Sequence, residues 1–336
     1  MNKSGIKKVS SGIPSSESRE TKASKNSRWG VVLAGGDGTR LKSLTRLMSG
    51  DERPKQFCRV IDNMTLLDRT IKRMSISIPR KNMVISLTRT HEAYYDYLNN
   101  IIPTRQMVVQ PANLGTAPAI LYSLLRVESM DRNASVAFFP SDHYLSNDEA
   151  FMAQVVSAFD RVNIEPDKIV LLGVLPDYPE SGYGWIEPVR HSADKQARLF
   201  SSVKKFWEKP DHGTASDLMK KGCLWNSFVM VGHIRTFLNM IKCTLPAIYD
   251  YFLPVRELIG TPGERKAVES VYEKITPTNF SHTVLEESTK NLLVLEVKNV
   301  EWIDLGDPRR VLSLLENGLF ESDWSPYAER ISLQPG

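Results

Sequence analysis

Residues 31–57, VVLAGGDGTRLKSLTRLMSGDERPKQF, join glycines to cations. An apolar run ends at Leu33-Ala34. Gly35, Gly36 and Gly38 follow, then Thr39-Arg40, and Lys55 lies fifteen residues beyond Arg40. Glycines let backbone N–H groups approach phosphate oxygens closely. A guanidinium such as Arg40 forks onto two oxygens, and an ammonium such as Lys55 adds a point charge. These residue types suit work on a phosphorylated small molecule. Two phosphate loops are excluded. A Walker A loop needs Gly-Lys-Ser/Thr after its glycines, and a dinucleotide fingerprint needs a third glycine where Leu41 stands. A tight strand-to-helix turn explains the glycines alone. It does not explain Arg40 together with Pro54-Lys55-Gln56-Phe57.

Carboxylates extend the set. Asp142 follows the apolar run SVAFFP. An Asp-His pair after a strand reads as a turn or helix cap. At the carboxyl end of a parallel strand, the same carboxylate is well placed for Mg2+, a hard ion that prefers oxygen ligands and phosphates. His143 reads as structural. Glu208-Lys209 reads as a surface ion pair or as part of a site. Cys58, Cys223 and Cys243 form no C-x-x-C pair, so neither a zinc site nor a disulfide framework is suggested, and a cytoplasmic setting is expected.

These residues need a scaffold. Trp29–Leu33, Asn82–Leu87, Gln106–Val109, Ser135–Phe139 and Lys168–Val174 read as strands, from short apolar runs ended by turn residues. Helical spacing over Thr65–Met74, 92–100, Thr116–Glu128 and 148–161 alternates with them. Pro118 falls in a first helical turn, where proline is tolerated. The alternation predicts an α/β fold, a mostly parallel twisted sheet with helices on both faces. Ligands of such sheets bind beyond the carboxyl ends of the strands. After residue 175 the segments SGYGWIEPV and SVKKFWEKP predict a small β-rich insertion over the site. Helices are expected near 214–221 and 234–242, a helical stretch at 245–275, and a strand at Leu292–Val297.

Composition narrows the class. The chain has 336 residues, 41% hydrophobic and 24% charged, ordinary for a globular protein. No apolar run approaches the roughly 20 residues that span a bilayer, and no signal core follows the basic start, so no membrane partner is expected. Residues 1–28 hold seven Lys/Arg against two Asp/Glu, whereas the remainder holds 36 against 37. The net charge of +4 thus belongs to a Ser/Lys-rich tail, expected to be disordered. The rest is nearly neutral, so nucleic acid is not an expected partner.

The motifs, in this order, resemble the sugar-1-phosphate nucleotidylyltransferases, and RPKQF (53–57) resembles their mannose-1-phosphate guanylyltransferase branch. The resemblance runs from about Trp29 to Leu315. It implies a nucleotide-diphospho-sugar transferase fold, Rossmann-like, over 29–321, with a peripheral tail at 322–336. It implies that Leu33, Ala34, Gly35, Gly36, Gly38 and Thr39 hold the nucleotide. QPANLGTAPAI (110–120) is similar to the segment near the base, which adds Gln110, Asn113, Thr116, Ala117 and Pro118. FFPSDHYL and EWIDLGDP look like two metal loops, giving Asp142 and Asp304 as ligands of Mg2+ or another divalent cation. SGYGWIEP, FWEKP and LWNSFVMV look like sugar-side elements, with Gly184, Glu187, Glu208 and Asn226 on the sugar. Arg40, Lys55 and Lys209 are the implied catalytic cations.

The chain departs from the family pattern at Ser43, where proline is usual, and at Phe228, where glycine is common. SHTVLE (281–286) matches only loosely. The implied partners are a nucleoside triphosphate, GTP favoured, and a hexose 1-phosphate, mannose 1-phosphate favoured, with room for a homodimer. The alternatives are another pyrophosphorylase of this class, using glucose 1-phosphate with UTP or dTTP, and a non-catalytic nucleotide-sugar-binding regulator. Retention of all five of Arg40, Lys55, Asp142, Lys209 and Asp304 favours the enzyme.

Overall fold

The computed structural model describes residue 1, residues 27–189 and residues 199–316. The expected basic tail, apart from residues 1, 27 and 28, and the expected tail from 322 lie outside the described residues. No described helix is long and apolar enough to cross a membrane.

β1 (Arg28–Leu33) leads through the glycine loop to α1 (Lys42–Ser49) and the short strands β2 (Arg59–Ile61) and β3 (Met64–Thr65). α2 (Leu66–Met74) starts where Thr65 Oγ1 accepts the Asp68 N–H at 3.0 Å, which satisfies one orphan donor of the first turn. β4 (Met83–Thr88) is followed by α3 (Glu92–Tyr95), which tightens into a 3-10 turn over Asp96–Asn100. β5 (Met107–Gln110) precedes α4 (Thr116–Met130). α4 opens after Gly115, whose φ is 86; a Cβ there would lie 2.4 Å from Thr278 O, so only glycine fits.

β6 (Ser135–Pro140) and β7 (His143–Leu145) come next. α5 (Asp148–Ile164) is capped by Asn147, with Asp148 and Glu149 suited to the positive end of its dipole. β8 (Ile169–Val174), β9 (Gly184–Pro188) and β10 (Phe200–Glu208) lead to α6 (His212–Lys220) and the long β11 (Leu224–His233). The expected helical stretch at 245–275 divides. After α7 (Ile234–Thr244) come α8 (Pro246–Tyr251), α9 (Leu253–Leu258) and α10 (Glu264–Tyr272). Pro246 and Pro254 open two of them, at positions where their missing N–H costs nothing. β12 (Leu292–Glu296), β13 (Trp302–Asp304) and α11 (Pro308–Glu316) complete the described chain.

Nine strands form one sheet in the order β5-β4-β1-β6-β11-β8-β12-β10-β9. The expectation of a mostly parallel sheet is corrected to a mixed one. β5, β4, β1 and β6 pair in parallel, as do β8 and β12, but β11 enters antiparallel between β6 and β8. β9 and β10, the expected insertion, pair antiparallel with each other and with β11 and β12, so they continue the main sheet.

Side chains alternate across the sheet. Trp29 and Val31 join the core under α4, α7 and α10, while Val32 joins the core under α2 and α5. β1 and β4, buried on both faces, are continuous apolar runs for that reason. A third, smaller core holds Leu41, Leu44, Tyr144, Leu305 and Val311, and it seats α1 and α11 beside the carboxyl ends of the strands.

Candidate active site

A cavity of about 480 Å³ opens beyond the carboxyl ends of β1, β4, β5 and β6, where a sheet of this type offers free backbone groups and diverging loops. Leu33, Gly35, Gly36, Gly38, Thr39, Arg40, Lys55, Gln110, Asn113, Thr116, Asp142, Gly184, Glu208, Lys209, Asn226 and Asp304 all line it. Four expected residues do not. Ala34, Ala117 and Pro118 are buried behind the wall, where Ala117 N–H donates to Thr278 O; Ala119 lines the cavity instead. Glu187 lies along β9 and pairs with Lys204 at 2.7 Å; that contact holds its carboxyl below the ordinary glutamate range. The sheet alternation carries it away from Gly184 and Glu208.

The glycine loop is fixed by bonds to its carbonyls. Gln56 Nε2 donates to Ala34 O at 2.9 Å and Gly36 O at 2.8 Å, and Thr88 Oγ1 donates to Gly35 O at 2.9 Å. Gly38 takes a φ of 59, and a Cβ there would lie 3.2 Å from Lys55 N, so glycine lets the two segments approach. Asp37 ties the loop to the neighbouring strand ends, with His91 Nε2 at 3.1 Å and Asn113 Nδ2 at 2.9 Å. Asn113 therefore acts here as a brace. Gln110 is buried and also spoken for: Tyr272 Oη donates to its Oε1 at 2.8 Å.

Charges gather around Lys55. Lys55 Nζ lies 2.7 Å from Asp142 Oδ2 and 3.5 Å from Asp304 Oδ1, and donates to Leu305 O at 2.9 Å. Burial alone would depress the lysine pKa; the Asp142 and Asp304 carboxylates outweigh it and hold the ammonium above its ordinary value. Burial likewise works to raise Asp142, and Lys55 with His143 overrides it, so that carboxyl stays below its usual range. His143 Nδ1 accepts the Trp302 Nε1–H at 3.1 Å, which turns Nε2 toward Asp142 and Asp304 at 3.8 and 3.9 Å. Burial lowers its pKa, so the ring is neutral near pH 7. β13 pairs with β7 so that Asp304 lies opposite His143. Among the described residues, no group of three or more His, Cys, Asp or Glu forms a metal-binding cluster.

Arg310 of α11 ties the Asp304 loop to the loop before β9. It donates to Tyr183 Oη and Glu180 Oε2, lies over the Tyr183 ring at 4.8 Å, and approaches Asp304 Oδ2 at 3.8 Å. No sequence motif points to this role. Elsewhere in the lining Asn279 Nδ2 donates to Glu208 Oε1 at 3.2 Å, and Glu286 accepts the Glu208 N–H at 2.6 Å. Burial, chiefly, raises the Glu208 pKa. Asn279 and Ser281 reach the cavity at the start of a π-helical turn over Ser281–Leu285. No local sequence pattern announces such a turn; Asn279 was missed, and Ser281 lay within SHTVLE without being singled out. Gln56 and Tyr183 lay within recognised motifs without being singled out. Trp185 and Phe206 are core residues, 0% and 1% exposed.

Residues 29–317 match the nucleotidyl transferase family model. The chain is 26% identical over 284 residues to a mannose-1-phosphate guanylyltransferase of Escherichia coli, covering 82% of this chain and 59% of that protein. It is 27% identical over 279 residues to the alginate biosynthesis protein AlgA of Pseudomonas aeruginosa, covering 82% and 56%. The chain thus spans less than three-fifths of the length of these two curated relatives. A solved structure described as mannose-1-phosphate geranyltransferase from Thermus thermophilus superposes with a TM-score of 0.71 at 25% identity, covering 85% of this chain and 79% of that one. With its glycine loop, buried lysine and paired aspartates inside the matched span, the chain belongs to the nucleotidyl transferase family.

Proposed function

We propose that this chain transfers a nucleotidyl group from a nucleoside triphosphate to a hexose 1-phosphate, releasing pyrophosphate, with GTP and mannose 1-phosphate the favoured pair. The observation that carries the reading is the layout of the cavity. Lys55, Asp142, Asp304 and Arg40 line the same cavity as Gly184, Glu208, Lys209 and Asn226, so a cation–carboxylate cluster and a set of polar side chains open onto one space. That layout suits two anionic substrates that must meet. The preference for guanine and mannose rests on the relatives named above.

A sugar phosphate oxygen attacks the α-phosphorus while the bond to the pyrophosphate oxygen breaks. The attacking oxygen is already ionised, so no side-chain base is needed. The chief obstacle is repulsion: one unit-charge pair at 4 Å repels by about 4 kcal/mol at an effective dielectric of 20. Arg40 is exposed on the cavity and has no ion-pair partner among the described residues, so it is available to the phosphates. Lys209 is also exposed and holds Glu208 only loosely, at 3.9 Å. It is suited to the sugar phosphate, while Glu208 and Asn226 suit sugar hydroxyls.

Asp142 and Asp304 would hold Mg2+. The reach of Lys55 Nζ to both carboxylates supports a cation position between them. Two carboxylates plus substrate phosphates are a usual magnesium set. When bound, the ion would supply charge neutralisation at the phosphates. Lys55 would then keep the two carboxylates from repelling each other before substrate arrives.

A matrix of four nucleoside triphosphates against several hexose 1-phosphates, with Mg2+, tests the reading through pyrophosphate release. GTP with mannose 1-phosphate is expected among the best pairs. A clear preference for UTP or dTTP with glucose 1-phosphate overturns the assignment of substrates. Binding without turnover across the whole matrix overturns the reaction.

A further inference from the structure

Five described non-glycine residues have a left-handed backbone: Asp62, Asn63, Lys209, Phe228 and Asn299. Asp and Asn tolerate that state through short polar side chains; long and bulky residues do not. The two exceptions, Lys209 and Phe228, both line the cavity. Backbone strain of this kind persists where surrounding structure enforces it, and it collects at functional sites.

At Phe228 the enforcement is visible. β11 runs between β6 and β8, and its register slips between Asn226 and Met230. Asn226 Oδ1 accepts the Phe228 N–H at 3.1 Å. Ser227 Oγ accepts the Val229 N–H at 3.2 Å and donates to Leu172 O at 2.6 Å. These bonds pin a bulge in mid-sheet and hold φ at 59 for Phe228. Glycine would occupy that backbone without strain. What glycine cannot supply is the ring. The ring packs on the core under α4 and α7 with one side and lines the cavity with the other, in company with Asn226, Glu208 and Asn279.

We infer that Phe228 is a specificity-determining residue: its ring walls the sugar compartment beside Asn226, accepts a hexose 1-phosphate bearing hydroxyls only, and excludes one bearing an N-acyl group. The inference rests on the proposed reaction. Its physical basis is space. A cavity of about 480 Å³ must take a nucleotide and a sugar phosphate together. The ring takes up space at that wall that an extra acetamido group would need. An apolar ring also offers that group no hydrogen bond, while its face suits the C–H side of a pyranose.

Phe228→Gly and Phe228→Ala both remove the ring, but only glycine relieves the backbone, so the glycine variant should melt above the alanine variant. For each, kcat/KM is measured with a hexose 1-phosphate and with its 2-acetamido-2-deoxy counterpart. Both variants should shift the ratio toward the acetamido sugar by about 10-fold or more, the scale of discrimination set by small groups in a pocket. A ratio within about two-fold of wild type in both folded variants overturns the inference. So does a shift confined to the glycine variant, which would assign selectivity to the backbone.

The same ratio is read without turnover, from the thermal shift each sugar phosphate gives in the presence of nucleotide. A wild type that binds hexose 1-phosphates without turnover sinks the reaction and leaves Phe228 to be judged on binding. A wild type that does neither overturns both.

Discussion

Two regions of the cavity are built by opposite means. Around Lys55, side chains from distant segments neutralise one another: Lys55 contacts Asp142 and Asp304, with Arg310 beside the latter. Around Glu208 and Asn226, position comes from the backbone: a bulge at Phe228, a left-handed Lys209 and a π-helical turn after Asn279. One region stores electrostatic order and the other stores backbone strain. The cations of the first region also divide. Lys55 is 9% exposed and fully engaged, whereas Arg40 is exposed and without an ion pair among the described residues. The buried cation ties the strand ends together, and the exposed one is open to the cavity.

The strongest way to break this contrast is to remove the buried cation. Lys55→Met should leave Asp142 without its lysine and Asp304 with only Arg310, at 3.8 Å. Breaking a buried pair from one side costs about 3–5 kcal/mol, so a large fall in melting temperature is expected together with near-complete loss of turnover. Mg2+ should raise the melting temperature of the variant more than that of wild type, because it takes over the vacant charge. Equal Mg2+ effects on both proteins would argue against a shared cation position.

Arg40 supplies the complementary test. Arg40→Ala should lower kcat by roughly 10² or more, an electrostatic loss of about 3 kcal/mol at the transition state. Its melting temperature should stay near that of wild type, since the side chain is exposed and holds no ion pair among the described residues. Arg40→Lys should recover only part of the rate, because the fork is lost. A variant that loses stability and activity in step would erase the distinction between the two cations.

Arg310 links the Asp304 loop to Tyr183 and Glu180, and its effect should be intermediate. Arg310→Met keeps the stem but frees Tyr183, Glu180 and the Asp304 loop from one another. A rise in KM for the sugar phosphate with a roughly 10-fold fall in kcat is expected, the scale of a lost charge-assisted hydrogen bond. KM for the nucleotide should move less. An equal change in both KM values would confine the role of Arg310 to the Asp304 loop.

The same contrast explains what the sequence could reveal. The region around Lys55 was legible because glycines, Arg40 and Lys55 fall within one short segment, and Asp142 follows an apolar run. β1, β4, β5, β6 and β8, with α2, α4 and α5 between them, were legible from apolar runs ended by turn residues and from helical spacing, whereas α1, β2 and β3 were not. The antiparallel entry of β11 was not, since an apolar run such as LWNSFVMV does not state its direction. Glu187 was misplaced because a motif names residues while the two-residue period of the strand decides which face they take. Asn279 and Arg310 were invisible, because Asn279 reaches Glu208, 71 positions away, and Arg310 reaches Tyr183, 127 positions away. Phe228 was visible as an oddity, but only its φ shows that the oddity is strained.

The smallest expected effect concerns the brace of the glycine loop. His91 is buried, 6% exposed, and its Nε2 faces Asp37 at 3.1 Å. Its Nδ1 is buried without a hydrogen-bond partner. A proton there would be an unsatisfied charge, and burial accordingly pushes the pKa down, with Asp37 opposing it in part. The sign follows from linkage. The unfolded histidine, with a pKa of about 6.5, binds its proton more readily than the folded one. Stability from this group is therefore full above about pH 6.5 and declines as pH falls toward the lower folded value. His91→Gln removes the titration. The melting temperatures of wild type and variant should run parallel above about pH 7.5 and converge below about pH 6.5, as wild type loses more. His143 and His233 carry shifts of the same direction and remain in both proteins, so only the difference between the curves reports on His91. Curves that stay parallel down to about pH 5 would mean that the folded ring accepts its proton freely, and that Asp37 rather than burial governs the brace.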